Sequence, residues 1–267
     1  MQKTRLKTAV PIYIALALTA MLWIAPIYVA LTKSFNINGL GNYQYVLSYE
    51  KISYFQVVFN SFFIAICTSV IVGLITSLAG YAFSKMDFPG RKLIFALTLA
   101  CLAVPAAAVT MPMFNTVKNF GLIDKHAGVI LPLVAFNAPI MLLMIKNYFD
   151  GIPSELLESA TIDGASRLRI YRSIMLPLSV PILANVLVLT FIYSWNDYLV
   201  PLLVMRSESK YTVTLAAQYF MSSMYQNPAD VARLYAVMML LTLPSILVYL
   251  FSQKYLQAGL TSGAVKG

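Results

Sequence analysis

This chain of 267 residues is short of charge: Lys, Arg, Asp and Glu make up only 11% of it, against 60% hydrophobic residues. A water-soluble domain carries about 25% charged residues, so a free globular protein is excluded. Histidine occurs once, at His126, and cysteine twice, at Cys67 and Cys101. Two isolated cysteines make neither a disulfide framework nor a metal site. A lone imidazole has no partners with which to hold an ion. Both cysteines lie in apolar runs and read as inert packing residues; His126 reads as a loop residue. A glycine-rich GxxxxGK loop is missing, so the chain is not its own P-loop ATPase. No cluster of His, Cys and carboxylates suggests hydrolytic or metal chemistry. The chain is therefore expected to be neither an enzyme nor the holder of a metal.

What is present is apolar sequence in long runs, with a mean hydropathy of +0.76. A run of about 20 apolar residues crosses the roughly 30 Å of bilayer hydrocarbon as a helix, and helices satisfy their own backbone hydrogen bonds there. Six such spans can be drawn, near Ala9–Leu31, Val57–Phe83, Leu93–Met111, Gly128–Tyr148, Leu178–Val204 and Val231–Phe251. The expected fold class is an all-α membrane protein, one transmembrane domain over residues 1–267. Lys3, Arg5 and Lys7 precede the first run and give it the outline of a signal peptide. The run is longer than a signal peptide's apolar core and no small-residue cleavage site follows, so it reads as a retained first helix.

The net charge of +9 fits cytoplasmic loops rich in Lys and Arg. Nucleic acid is not expected as a partner, since no basic run is interleaved with exposed aromatics. Of the 19 Lys and Arg, 12 fall on the side holding both termini and the segments near residues 85–92 and 167–172, and 7 fall on the other. The richer side is expected to be cytoplasmic. Pro105, Pro132, Pro139, Pro181, Pro201 and Pro244 punctuate the spans. Kinked helices around a cavity suit a transporter, although proline is frequent in membrane helices generally.

One polar, small-residue segment stands out between apolar runs: Glu155–Leu178, ELLESATIDGASRLRIYRSIMLPL. Pro153 suits the first turn of a helix, and Glu155 and Glu158 suit its positive N-terminal dipole. Gly164 breaks that helix and Ser166 can cap a second one. In the second helix Leu168, Tyr171 and Met175 fall on one apolar face, with Arg167, Arg169 and Arg172 on the rest. Two readings fit these residues: an element docking against a partner protein, or an amphipathic helix resting on anionic lipid. The two glutamates and the central glycine suit the first better. Within the spans, Asn137, Asn185, Asn196 and Asp197 are polar groups that face a pathway or bind another helix. Trp195 and Tyr198 offer rings for a sugar face or for anchoring at the membrane interface.

Glu158-Ser159-Ala160, Asp163-Gly164-Ala165 and Ile174-Met175-Leu176-Pro177 resemble the EAA loop of ABC importer permeases, E-A-A-x-x-D-G-A followed by I-x-L-P. The sequence departs at Ser159, where alanine is usual and serine nearly as small. Asn60-Ser61, the segment Tyr81–Arg91, the stretch Phe114–Leu131, Trp195-Asn196-Asp197 with Pro201, and the tail Gly259–Gly267 resemble further elements of the carbohydrate-uptake, maltose-permease-like branch. The resemblance covers most of the chain and is to the shorter of that branch's two permeases. It implies six transmembrane helices with a cytoplasmic coupling helix (residues 150–177) between the fourth and fifth. It implies a second homologous permease, two ABC ATPase subunits that use ATP and Mg, an extracytoplasmic binding protein, and a sugar driven across by alternating access. This chain would bind no cofactor itself. Glu158, Ser159, Ala160, Asp163, Gly164 and Ala165 would couple it to the ATPase, with Glu158 the charged contact and Gly164 the bend. Asn137, Trp195, Asn196 and Asp197 are the candidate pathway residues. An importer for a non-sugar solute such as glycerol phosphate, and an ion-coupled carrier working without an ATPase, are the competing readings.

Overall fold

The structure, a computed structural model, describes residues 2–223 and 227–264, without the side chains of residues 2–8, 106, 252 and 254–264. Every regular element among them is helical. In chain order these are α1 (Gln2–Ser34), α2 (Gly41–Leu47), α3 (Tyr54–Lys85), α4 (Arg91–Ala100), α5 (Ala106–Asn119), α6 (His126–Asp150), α7 (Glu155–Ile162), α8 (Arg167–Ile170), α9 (Leu176–Leu178), α10 (Val180–Asn196), α11 (Leu199–Val204), α12 (Val213–Ser223) and α13 (Pro228–Ala264). Cys101–Ala103 and Glu208–Lys210 form 3₁₀ turns, and Tyr171–Met175 forms a π-helical turn.

Four stretches are long and apolar enough to cross a membrane unbroken: Ala9–Ser34, Tyr54–Lys85, His126–Asp150 and Pro228–Phe251. The other two expected spans are not single helices. Leu93–Met111 is interrupted where Val104 and Pro105 turn extended, at ψ 119° and 131°. Proline sterically drives its predecessor out of the helical region, so α5 starts afresh after Pro105. Leu178–Val204 is broken at both ends. The helical stretch Arg167–Leu178 meets α10 at 77°, and α10 stops where Asp197 turns extended. The 17 residues of α10 reach about 25 Å at 1.5 Å per residue. The count is six spans if each bent pair is one. Pro132, Pro139 and Pro244 interrupt nothing, since α6 and α13 run through them. Pro181 sits at the start of α10, where its missing N–H removes no helical bond.

The chain divides into two compact units. The first comprises Met1–Tyr54 and Ala217–Pro244, the second Phe55–Ala216 and Ser245–Gly267. In the first, α1 buries none of its apolar window, leaving Tyr13, Leu22 and Trp23 at least 70% exposed. An apolar surface of that extent calls for a hydrocarbon surround. Here Asn42 donates to the carbonyls of Ser34 and Asn36, and the Arg233 guanidinium lies 4.1 Å from the centre of the Tyr45 ring. In the second unit, Ile64 and Val72 of α3 join Val129, Met141, Ile145 and Phe149 of α6, Met175, and Val186 of α10 in one core. A Cβ at Gly80 would stand 2.7 Å from Ile145 Cγ2, so only glycine lets α3 and α6 come this close.

One end of the second unit is closed by polar groups. Asn60 Nδ2 donates to the carbonyls of Ser209 and Tyr211 at 2.9 and 3.0 Å. Its Oδ1 is therefore an acceptor, and His126 Nε2, 3.1 Å away, carries the proton. His126 is the first residue of α6 rather than a loop residue. Ser61 Oγ accepts from the Val213 amide at 2.8 Å. Asp124 holds the same segment from the other side. Its Oδ1 accepts from the amides of Arg206 and Ser207, both at 3.0 Å, and Oδ2 from the Ser207 hydroxyl at 2.5 Å. The Lys210 ammonium binds the Asp124 carbonyl and lies 3.3 Å from Oδ2.

Burial alone would raise the Asp124 carboxyl, but the bonds from Ser207, Arg206 and Lys210 outweigh it and hold the group well below its ordinary value. A depressed carboxyl stabilises the fold fully above its unfolded value of about 3.9 and loses that contribution as pH falls toward the folded value. Asp124 sits at φ 58°, which asparagine tolerates, so Asp124→Asn isolates the charge. It is expected to cost about 1–3 kcal/mol at neutral pH. In thermal unfolding in detergent, the gap from the unmodified chain should narrow below about pH 4.

Candidate functional site

The Glu155–Leu178 segment folds as two short helices about a tight turn. α7 begins after Ser154, whose carbonyl accepts from the amides of Leu157 and Glu158. Pro153 precedes that cap rather than sitting in the first turn. α7 ends at Gly164 with φ +78°. The Gly164 amide donates to the Thr161 carbonyl at 3.0 Å and the Ala165 amide to the Ala160 carbonyl at 2.9 Å. This pair is a Schellman motif, which needs a left-handed residue where Gly164 stands. Ser166 then caps α8, its hydroxyl accepting from the Arg169 amide at 3.4 Å.

The six coupling candidates therefore lie together in one helix and its turn. Ala160 and Ala165 pack on the core beside Leu157. Glu158, Ser159, Asp163 and Gly164 are exposed. Ser159 Oγ is held by its own helix, donating to the Glu155 carbonyl at 2.8 Å. The outward face also carries Ile162, 87% exposed, with Leu156 beside Glu155. The apolar face expected for the second helix is displaced. Tyr171 and Met175 are buried as expected, but Leu168 is exposed and Ile170 is buried in its place. The π-helical turn at Tyr171–Met175 widens the spacing there, so a count of 3.6 residues per turn misplaces Leu168.

The four pathway candidates do not form one polar cluster. Asn137 is buried in α6 and donates to the Leu133 carbonyl of its own helix at 2.7 Å. Trp195 is 3% exposed, edge-on to Phe62 at 4.7 Å and stacked on Phe191 at 5.7 Å. Asn196 is exposed and bonds the Ile192 carbonyl. Asp197 organises the helix break: its Oδ1 accepts from the Val200 amide at 3.0 Å and its carbonyl from Thr214 Oγ1 at 2.7 Å. Trp195 and Asn196 do share the wall of a cleft of about 280 Å³ with Phe191, Ser245 and Tyr249. The tail resemblance at Gly259–Gly267 concerns side chains outside the described residues.

Asn185, already marked by the sequence as a polar group within a span, is buried on α10 with no hydrogen-bond partner for its Oδ1 among the described residues, and so are Thr190 Oγ1 and Ser194 Oγ, which the sequence does not mark. Thr190 and Ser194 gave no signal beyond being polar in an apolar run. Asp124 and Asn60 lay inside recognisable segments, but their bonding to residues 206–213 depends on the fold. No group of three or more metal-ligating side chains occurs among the described residues.

Residues 74–262 match the family described as binding-protein-dependent transport system inner membrane component. The chain is 35% identical over 231 residues to the arabinooligosaccharides transport system permease protein of Bacillus subtilis (strain 168), covering 86% of this chain and 80% of that protein. It is 34% identical to the trehalose transport system permease protein of Mycobacterium tuberculosis (strain CDC 1551 / Oshkosh), covering 78% and 76%. In fold it is similar, at a TM-score of 0.78 and 23% identity, to a chain in the crystal structure of a bacterial ABC transporter involved in the import of the acidic polysaccharide alginate, covering 96% of this chain and 98% of that one. The chain belongs to the binding-protein-dependent transport system inner membrane components, as a multi-pass, non-catalytic permease subunit of an ABC transporter.

Proposed function

We propose that this permease carries a sugar or oligosaccharide into the cell, driven by an ATPase that docks on the α7–α8 hairpin. The observation that carries the coupling half is the uncovered face of α7. There Glu155, Glu158, Asp163 and Ile162 face outward while Leu157 and Ala160 hold the helix to the core. An acidic rim around the exposed aliphatic side chains of Leu156 and Ile162 suits a partner cleft with a basic edge. The sugar half is supported by relatives named for arabinooligosaccharide and trehalose transport, and by the cleft beside Trp195 and Asn196.

On this reading residues 1–267 act as one transmembrane domain with six spans, each bent pair counting as one. Both termini and the hairpin are cytoplasmic, following the Lys and Arg bias. A second homologous permease completes the pathway, two ATPase subunits bind and hydrolyse ATP with Mg, and an extracytoplasmic binding protein delivers the solute. Closure of the ATPase pair displaces the two hairpins and switches the permeases between inward-facing and outward-facing states. This chain holds no cofactor.

Glu158→Lys is expected to leave membrane insertion intact while abolishing ATP-driven uptake in vesicles containing all subunits; unchanged uptake would remove Glu158 from the coupling role. Gly164→Ala meets no steric obstacle but imposes a left-handed alanine, at a cost of roughly 1–2 kcal/mol. Faster hydrogen exchange in α7 and partial loss of uptake should follow, with Gly164→Asn milder. Uptake of glycerol phosphate in place of any sugar, or uptake by the chain alone without ATP, would overturn the sugar and ATPase halves respectively.

A further inference from the structure

We infer that α3 is a rigid rod joining the α7–α8 hairpin to the connection between α11 and α12, and that Ser77, Tyr81, Ser84 and Lys85 are the positioning residues tying the hairpin to it. The inference rests on the reading of α7 as the ATPase dock. These four residues are spaced i, i+4, i+7 and i+8, which places them on one face of the last turns of α3. Their polar heads bind the hairpin or the chain that leads into it. Ser77 Oγ and Tyr171 Oη lie 2.7 Å apart in the core. Tyr81 Oη donates to the Arg167 carbonyl at 3.3 Å. Ser84 Oγ donates to Asp150 Oδ1 at 2.7 Å, and Lys85 Nζ donates to the Ile152 carbonyl at 2.6 Å.

The partners fall in two groups. Asp150 and Ile152 precede α7, while Arg167 and Tyr171 follow its turn. Both legs of the hairpin are thus fastened to the same stripe of one helix. The upstream leg is braced again, since Asp150 Oδ2 takes the Lys146 ammonium at 2.6 Å. Two of the ties end on backbone carbonyls, so they fix the path of the chain and not only a side chain. A displacement applied to the outward face of α7 is thus passed to α3 from both of its flanks.

α3 is suited to carry that displacement. It has 32 residues and no proline, whereas the other three unbroken spans contain Pro11 and Pro26, Pro132 and Pro139, and Pro244. From Ser61 to Lys85 is about 36 Å at 1.5 Å per residue. At that far end Asn60 and Ser61 grip the backbone of residues 209–213. Movement of the hairpin therefore reaches the opposite end of this unit through a single unbroken helix.

The test uses the full complex of permeases, ATPase and binding protein in vesicles, with uptake of a labelled trehalose or arabinooligosaccharide measured per ATP hydrolysed. Tyr171→Phe removes one hydroxyl, Lys85→Met removes one ammonium, and the pair cuts one tie on each leg. The double variant should co-purify with the ATPase and hydrolyse ATP, while uptake per ATP falls about tenfold. Tyr171→Phe alone should show a partial fall. Lys85→Arg, which keeps the donor, should restore the ratio relative to Lys85→Met. A double variant that assembles and keeps the unmodified ratio would overturn the inference. Failure of the unmodified chain to hold the ATPase would sink the docking reading, and the inference with it.

Discussion

Polar groups at the two ends of α3 hold the second unit in register, because a helix buried in hydrocarbon has no water to satisfy them. Asn60 uses both donor hydrogens and its oxygen on neighbouring segments, and Ser61 caps the start of α12. At the other end Ser77, Tyr81, Ser84 and Lys85 are spent on the hairpin and the chain that leads into it. Between these ends small residues permit close apolar contact, as at Gly73, where a Cβ would stand 2.9 Å from Leu187 Cδ2. Polar bonding specifies which segments meet, and small residues let them meet closely. Without the first, the apolar faces of α3, α6 and α10 could slide past one another at little cost, since lipid tails solvate them equally well.

The polar hairpin follows from the same economy. Its exposed acids would be costly among acyl chains, so α7 lies at the end of the helices and not within them. Its two alanines are used inward, where Ala160 and Ala165 let the turn sit on the core, and its charges are left outward. Chemistry with the solute is a separate matter. Trp195 is committed to an aromatic stack and Asp197 to a helix break, so the Trp-Asn-Asp element is built first as architecture. Only Asn196 and an edge of Trp195 reach the cleft against α13.

The sequence was readable where local chemistry decides the outcome. Gly164 as a helix stop and Ser166 as a cap both follow from backbone rules that act within a few residues. The four unbroken spans follow from length and hydropathy. Hydropathy averages over Pro105 and Asp197, so it outlines the third and fifth spans without showing the breaks within them. Leu168 was misplaced because a π-helical turn leaves no mark in a 3.6-residue count. The bonds of Asp124 to residues 206–210 span more than 80 positions, and nothing local announces them.

The central claim is that the outward face of α7 meets an ATPase while its inward face does not. Single cysteines at Ile162 and at Leu157, in a chain whose Cys67 and Cys101 are replaced, test it directly by cross-linking in membranes that contain the complete transporter. An adduct with the ATPase subunit, sensitive to ATP, is expected from position 162 and none from position 157. An adduct from 157 alone, or none from 162 in a complex that transports, would contradict it.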